Sequence, residues 1–296
     1  MIRDIFKRIR NNRRYIWKKS ISNTALVYAI LGFVGVFVTL EGIFNPDTSF
    51  ICKLLISVLI LLVIGLLNVF AVCFRIFRVN KKKVVEGQNG NAVYVIYGDL
   101  FSEDIVPKGT RRSICFAVNR CFDTIVNNHL IASTSVHGTA FKQLYSSNIF
   151  TPDSLNDIIQ QRLSSEKWTL LTEKKKPQGN LKRYNVGTSV DIPVSSDLNY
   201  FLVGLTTLNY ELKAETTLEE YCMGIQKMIE FINAHAQGQP VLMPVIGSFL
   251  ARTGLSTDEH LRYIINCFKF NHRSIYHDVY IVVRESDKIS VPILDL

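Results

Sequence analysis

Four short stretches carry residue types suited to holding a ligand: GDLF (98–101), VNRCFDT (118–124), TSVHGTAF (134–141) and IGSFLART (246–253). In the first, Asp99 and Leu100 close an alternating apolar run, VYVIY, that reads as a buried strand. A carboxylate supplies only acceptors, so at a strand tip Asp99 can read the exocyclic amine of an adenine. Gly-Asp after a strand also closes ordinary turns, and both readings stand at this point. The second stretch offers Asn119 and Asp123. In the third, Val136, Gly138 and Thr139 flank His137, and the small residues let backbone N–H groups approach an anion. His137 either takes part in recognition or hydrogen-bonds its own loop. The fourth, with Gly247, Ser248, Phe249, Leu250 and Arg252, leads into a helix whose N-terminus adds a favourable dipole. Arg252 either pairs with a diphosphate or stays solvated, and Phe249 and Leu250 either stack on a ribose or plug the loop against the core.

The elements that must position these loops are legible in the periodicity. Strands are expected at 92–97, 113–118, 181–192, 198–208, 241–246 and 278–284, so three of the four loops directly follow a strand. Thr151-Pro152 offers a helix N-cap with proline in the first turn. Thr216 with Glu219, and Ser256 with Glu259, match capping boxes ahead of apolar stripes: Leu218, Cys222, Ile225, Ile229 and Ile232 in one, Leu261, Ile264, Ile265 and Phe268 in the other. The stripes read as core faces. Lys174 to Lys176, in TEKKKPQGN, read as a solvated turn. The expected architecture is α/β: helices on both faces of a mixed sheet of about six strands over residues 92–296, where ligands collect at strand ends.

Upstream the chain changes character. Two apolar segments, 24–44 and 50–74, each exceed the roughly 20 residues of helix that cross a hydrocarbon core, with Glu41 and Lys53 near one end. They predict a two-helix transmembrane hairpin over 24–74, its connector NPDTS forcing the helices antiparallel. Residues 1–83 carry 14 Lys/Arg against 3 Asp/Glu, the remainder 20 against 22. The basic residues flank the spans: the segment 1–23, in which Ile2, Ile5, Phe6, Ile9 and Ile16 suggest an interfacial helix, and the linker 75–91. The positive-inside rule therefore places both termini and the 92–296 domain in the cytoplasm. A domain with a slight acidic excess lacks the basic face that a nucleic acid partner requires. The six cysteines form no CxxC pair and have no histidine companions at zinc-ligand spacing, so they read as reduced thiols and no metal is expected.

The order of the four stretches resembles the macro domain family, α/β/α modules that bind ADP-ribose and its derivatives. In that family a Gly-Asp-Ile-like element holds adenine, a Val-Asn strand end lies near the distal ribose, and two Gly-rich loops enclose the diphosphate. Here Gly98-Asp99-Leu100, Val118-Asn119, Ser135 to Thr139 and Gly247 to Thr253 follow in the same order. The wording AVNRCFDT, SVHGT and PVIGSFLART is most similar to the divergent macro domain of a membrane-anchored effector of the Thoeris antiphage systems, in which two transmembrane helices precede the domain. The resemblance spans the chain from Thr24 onward.

That resemblance implies a bacterial inner-membrane protein. A TIR-domain partner would make an ADP-ribose derivative, a histidine conjugate being the expected form. The chain would bind it, oligomerise, and breach the membrane in abortive infection. Departures from the family pattern are informative: Asn119-Arg120-Cys121-Phe122 stands where Asn-Ala-Ala-Asn is usual, and Ser135-Val136-His137-Gly138 where a triple-glycine loop is usual. Asp123 and His137 then become groups to recognise a substituent on the distal ribose. Loss of the pattern that positions water favours binding over turnover, so no enzymatic activity is expected and the ligand takes the place of a cofactor. The competing readings are a membrane-anchored ADP-ribosyl hydrolase using Asp123 or His137 as base, and a passive membrane-localised receptor.

Overall fold

β-Branched and aromatic residues with a two-residue alternation build the sheet where the sequence places it. The computed structural model describes residues 2–35, 49–247 and 254–296. The chain divides into two units, Met1–Asn80 with Pro292–Leu296, and Lys81–Val291.

In the larger unit the sheet strands are β1 (Lys81–Glu86), β2 (Ala92–Tyr97), β3 (Arg112–Asn119), β6 (Ser189–Pro193), β7 (Leu198–Leu208), β8 (Ala214–Glu215), β9 (Val241–Pro244) and β10 (Val279–Val283). They run in the order β1-β2-β10-β9-β3-β7-β6, with β8 also paired to β7. The central five are parallel, and β1, β6 and β8 add antiparallel edges, so the sheet is mixed as expected. It has eight strands among the described residues rather than about six. One addition is β1: KKKVVE, read from the sequence as part of a linker, pairs antiparallel with β2 and exposes alternate side chains at the sheet edge. Lysines suit such an edge because they discourage pairing with another chain. The expected strand 181–192 is broken at 185–187, where Gly187 adopts a φ of +78°. Its first part, β5 (Lys182–Tyr184), pairs instead with β4 (Trp168–Leu170) in a separate ribbon.

Helices cover both faces. Ile114, Phe116 and Val118 of β3 and Tyr200 and Leu202 of β7 pack beneath α4 (Val136–Ser146) and α5 (Pro152–Arg162), meeting Phe141, Leu144, Leu155 and Ile159. On the other face Phe201 lies edge-on to Phe231 of α6 (Leu218–His235), and Tyr221 of α6 meets Tyr263 of α7 (Thr257–Phe270). Each large apolar side chain fully buried in this way contributes roughly 1.5–3 kcal/mol. The caps at Thr151 and Ser256 form as expected. The α6 box is Thr217 with Glu220, one residue later than predicted, and Leu218 is exposed while Tyr221 and Met228 join the buried stripe.

The 134–141 stretch is the largest local difference, because residues read as a phosphate loop begin helix α4 instead. Ser135 caps it, accepting from the Gly138 N–H at 2.9 Å. Gly138 is required for closeness rather than looseness, since a Cβ there would sit 2.1 Å from the Ala132 carbonyl oxygen.

In the smaller unit, α1 (Ile2–Asn11), α2 (Arg13–Gly35) and α3 (Phe50–Arg78) form a helical cluster. Ile16, Val72 and Ile76 are buried together, and Tyr28 donates to the Leu61 carbonyl at 2.6 Å, so α2 and α3 pack antiparallel. Arg8 of α1 donates to the Ile76 carbonyl at 2.5 Å. Among the described residues, α3 is the one helix long and apolar enough to cross a membrane, and its leucines are exposed along its length. Of the first expected span, residues 24–35 complete α2; residues 36–44 and most of the connector lie outside the described residues.

Candidate functional site

Parallel strands leave their carboxyl ends together, and loops leaving that edge enclose whatever binds there. In this sheet β3, β7, β9 and β10 end around a cavity of about 440 Å³. Its walls come from Asn119 at the tip of β3, Thr206 of β7, the turn reaching Gly247 after β9, Arg284 and Asp287 after β10, and the first residues of α4. The volume lies within the range of small-molecule sites, roughly 300–1,000 Å³.

The polar lining comes from Asn119, Thr206, Arg284 and Asp287 together with the start of α4. A helix leaves its first amides without intrahelical acceptors. Ser135 takes the Gly138 and Thr139 N–H groups through its hydroxyl and carbonyl, and Val136 and His137, the first two residues of the helix, line the cavity. The N-terminal end of a helix favours an anion. The His137 imidazole is 7% exposed and meets Phe141 edge-on at 4.4 Å. Burial drives its pKa down to about 3, against a hydrogen bond to the Asp123 backbone, so the ring is neutral at physiological pH. Its Nε2 is buried without a hydrogen-bond partner. The Asn119 carboxamide oxygen accepts from the Cys121 and Asp123 N–H groups at 3.1 and 3.4 Å, which turns its NH2 to other use.

The sequence-selected residues divide sharply. Asn119, Val136, His137 and Gly247 line the cavity. Gly247 has a φ of +97°, and a Cβ there would meet the His260 and Tyr221 rings at 2.7 Å, so no other residue fits without displacing them. Gly138 and Thr139 sit within α4 beside the cavity rather than on its wall. Leu100 is a core residue. Asp99 is exposed at the tip of β2, where its Oδ1 accepts from the Phe101 N–H at 3.1 Å and closes its own turn. Ser248, Phe249, Leu250 and Arg252 lie outside the described residues.

Asp123 is placed differently from its expected role. It is 2% exposed, and its Oδ2 lies 2.7 Å from the Nζ of a fully buried Lys176. Its Oδ1 accepts from the Asn180 N–H at 2.7 Å. Burial raises its pKa above the usual aspartate range, and the Lys176 ammonium opposes that rise. Lys176 also donates to the Asn180 carbonyl at 2.6 Å, so one lysine of the expected solvated turn is a buried clamp on the loop after β3, while Lys174 and Lys175 stay exposed. Arg120 is a second strut: its Nε donates to the Tyr184 carbonyl at 2.9 Å, and its guanidinium meets Glu220 at 2.7 Å.

The residues missed by sequence reasoning are Thr206, Arg284, Asp287 and Lys176. Arg284 ends an expected strand and was within reach of the strand-end rule. Thr206 reaches the wall through the irregularity that pairs Val118 with Gly204 but Asn119 with Thr206.

The family description "Thoeris protein ThsA, Macro domain" matches residues 93–284, most of the chain and all of the cavity-bearing sheet except β1 and the first residue of β2. The chain belongs to the Thoeris ThsA macro-domain family. Thoeris protein ThsA from Bacillus amyloliquefaciens (strain Y2) is 27% identical over 204 residues, 68% of this chain. The chain spans 62% of that ThsA relative's length. Solved structures of the Oceanobacillus iheyensis macrodomain are also similar. One with ADP covers 72% of this chain and 93% of its own at 12% identity and a TM-score of 0.38; one with MES bound covers 71% and 93% at 12% and 0.38. The ThsA match thus falls on the unit whose strand ends form the cavity.

Proposed function

We propose that this chain is a ligand-gated membrane effector of antiphage defence, in which the strand-end cavity takes an ADP-ribose derivative, a histidine conjugate, made by a TIR-domain partner. The single observation that carries this reading is the cavity itself, with the N-terminal end of α4, Asn119 and His137 on its wall. Asp99 extends the site in the direction a dinucleotide-sized ligand needs. Its strand β2 neighbours β10, and the Gly98 N–H donates to the Val283 carbonyl at 3.0 Å, so the carboxylate stands on the same edge of the sheet. Oδ1 serves the turn, and Oδ2 is the acceptor for an adenine amine.

Binding rather than turnover is supported by the ion pair of Asp123, which removes it as a base toward water. In this reading residues 24–44 and 50–74 are two spans of a multi-pass inner-membrane protein with both termini and the macro domain in the cytoplasm. Ligand binding shifts the chain toward a homo-oligomer whose crowded hairpins breach the bilayer. Such a shift requires the ligand to bind the assembled state more tightly than the monomer.

The test uses the full chain in liposomes. Histidine-linked ADP-ribose should drive oligomerisation and dye release, and Asp99→Ala should weaken binding roughly tenfold through loss of a charged hydrogen bond. Saturating ligand that leaves the chain monomeric and the vesicles sealed refutes the effector reading, and an unchanged affinity in the variant removes Asp99 from the site.

A further inference from the structure

Helix α1 uses only part of its apolar face. At 3.6 residues per turn, Ile5, Phe6 and Ile9 share one arc of the helix, and Arg3, Lys7 and Arg10 fill the arc next to Phe6. Ile9 packs against Ile16, Val72 and Ile76. Phe6 is 68% exposed instead and Ile5 40%, with all three cations exposed beside them. The helix is nevertheless held firmly. The Arg8 guanidinium donates to the Ile76 carbonyl at 2.5 Å and lies 4.9 Å from the Phe77 ring centroid. Asn12, buried between α1 and α2, donates its side-chain amide to the Arg8 carbonyl at 2.9 Å. These bonds fix α1 at the end of α3 that carries Arg75 and Arg78.

We infer that the uncovered part of this face docks on the cytoplasmic leaflet and requires anionic phospholipid there. Phe6 and Ile5 enter the boundary between headgroups and acyl chains, and Arg3, Lys7 and Arg10 meet the headgroup phosphates. This lipid requirement rests on the reading of residues 50–74 as a membrane span.

Charge and position both choose a bilayer as the occupant. An apolar strip with cations along its border suits a surface that is apolar beneath and negative on top. The exposed leucines of α3 suit hydrocarbon, and the basic end of that helix holds α1 at the level where such a surface lies. Basic flanks that only fix topology need charge alone. An aromatic ring left in water beside them has no part in that role, whereas it supplies the apolar contact that a docked helix needs.

The experiment puts a single tryptophan on the docking face. Phe6→Trp is made in the full chain together with Trp17→Phe and Trp168→Phe, which remove the two native tryptophans. The protein is reconstituted in phosphatidylcholine vesicles with or without phosphatidylglycerol. With phosphatidylglycerol the emission should shift to the blue and be quenched by lipids brominated on their acyl chains. Each Lys or Arg at an anionic surface is worth roughly fivefold in the docked-to-free ratio. Arg3→Gln, Lys7→Gln and Arg10→Gln together should therefore lower that ratio on the order of a hundredfold, and the quenching with it. Arg13, Arg14, Lys18, Arg75 and Arg78 remain to hold the topology. Emission typical of a solvent-exposed ring in both kinds of vesicle overturns the inference. So does quenching that persists without anionic lipid or without the three cations, and so does a blue shift without quenching, which assigns the face to protein such as a second copy. A chain that alkaline carbonate strips from the vesicles refutes the membrane span itself, and with it this inference; a carbonate-resistant chain with a solvent-exposed ring refutes the docking alone.

Discussion

Replacing Lys176 by methionine is the most demanding test of the site's architecture. The side chain keeps its length and apolar stem, while the ammonium that lies 2.7 Å from Asp123 Oδ2 and 2.6 Å from the Asn180 carbonyl is removed. At that separation and an effective dielectric of about 20, the gross attraction is roughly 6 kcal/mol. Desolvation offsets part of it, so removing one partner of such a pair costs about 3–5 kcal/mol, chiefly because the remaining charge is stranded. For a unit of this size each kcal/mol corresponds to about 2–4 °C in melting temperature, so Lys176→Met should melt roughly 6–20 °C lower at pH 7.5.

The pH dependence gives the mechanism its signature. Burial raises the Asp123 pKa, and removing Lys176 withdraws the main opposing influence, so the pKa rises further. A carboxyl with a raised folded-state pKa binds protons more tightly when folded. Its contribution therefore favours the fold at low pH and is lost as pH rises through the folded value. The deficit of Lys176→Met should shrink on acidification, and adding Asp123→Asn should recover part of it at neutral pH. Differential scanning fluorimetry of the full chain follows both. A variant melting within about 2 °C of wild type at pH 7.5, less than one kcal/mol, would refute the buried clamp.

Two further outcomes follow from local geometry. Gly138→Ala places a methyl 2.1 Å from the Ala132 carbonyl, and the displacement of α4 should cost about 1–3 kcal/mol in thermal unfolding and weaken ADP-ribose binding in the same variant. Thr217→Ala should cost about 1 kcal/mol by removing the acceptor of the Glu220 N–H, while Thr216→Ala should leave the melting curve in place, a contrast that fixes the cap register of α6.

Much of this protein was legible from local pattern. β2 and β7 begin and end where alternation places them, and β3, β9 and β10 agree to within two residues, because a strand buried on both faces leaves an unbroken apolar imprint. The parallel layout then located the edge that carries the cavity; Asn119 and Gly247 emerged from strand-end reasoning, and His137 from the small residues of a stretch that follows no strand. β1 was not legible, since three consecutive lysines carry no strand signal until a neighbouring strand supplies the pairing. Ser135 to Thr139 looked like a loop because small residues serve loops and close helix contacts equally; the Ala132 carbonyl decided between them.

The amino-acid sequence by itself determined the apolar helix Phe50–Arg78, the basic flanks, the order of strands along the chain and the family, since each is a property of consecutive residues. Only the tertiary structure decided which polar groups meet. Asp123 and Lys176 are 53 positions apart, and nothing near either one announces the other; burial brings them together because neither charge is tolerable alone. The same folding sets His137 against Phe116 and Phe141, a neighbourhood that exists only once the chain has enclosed it.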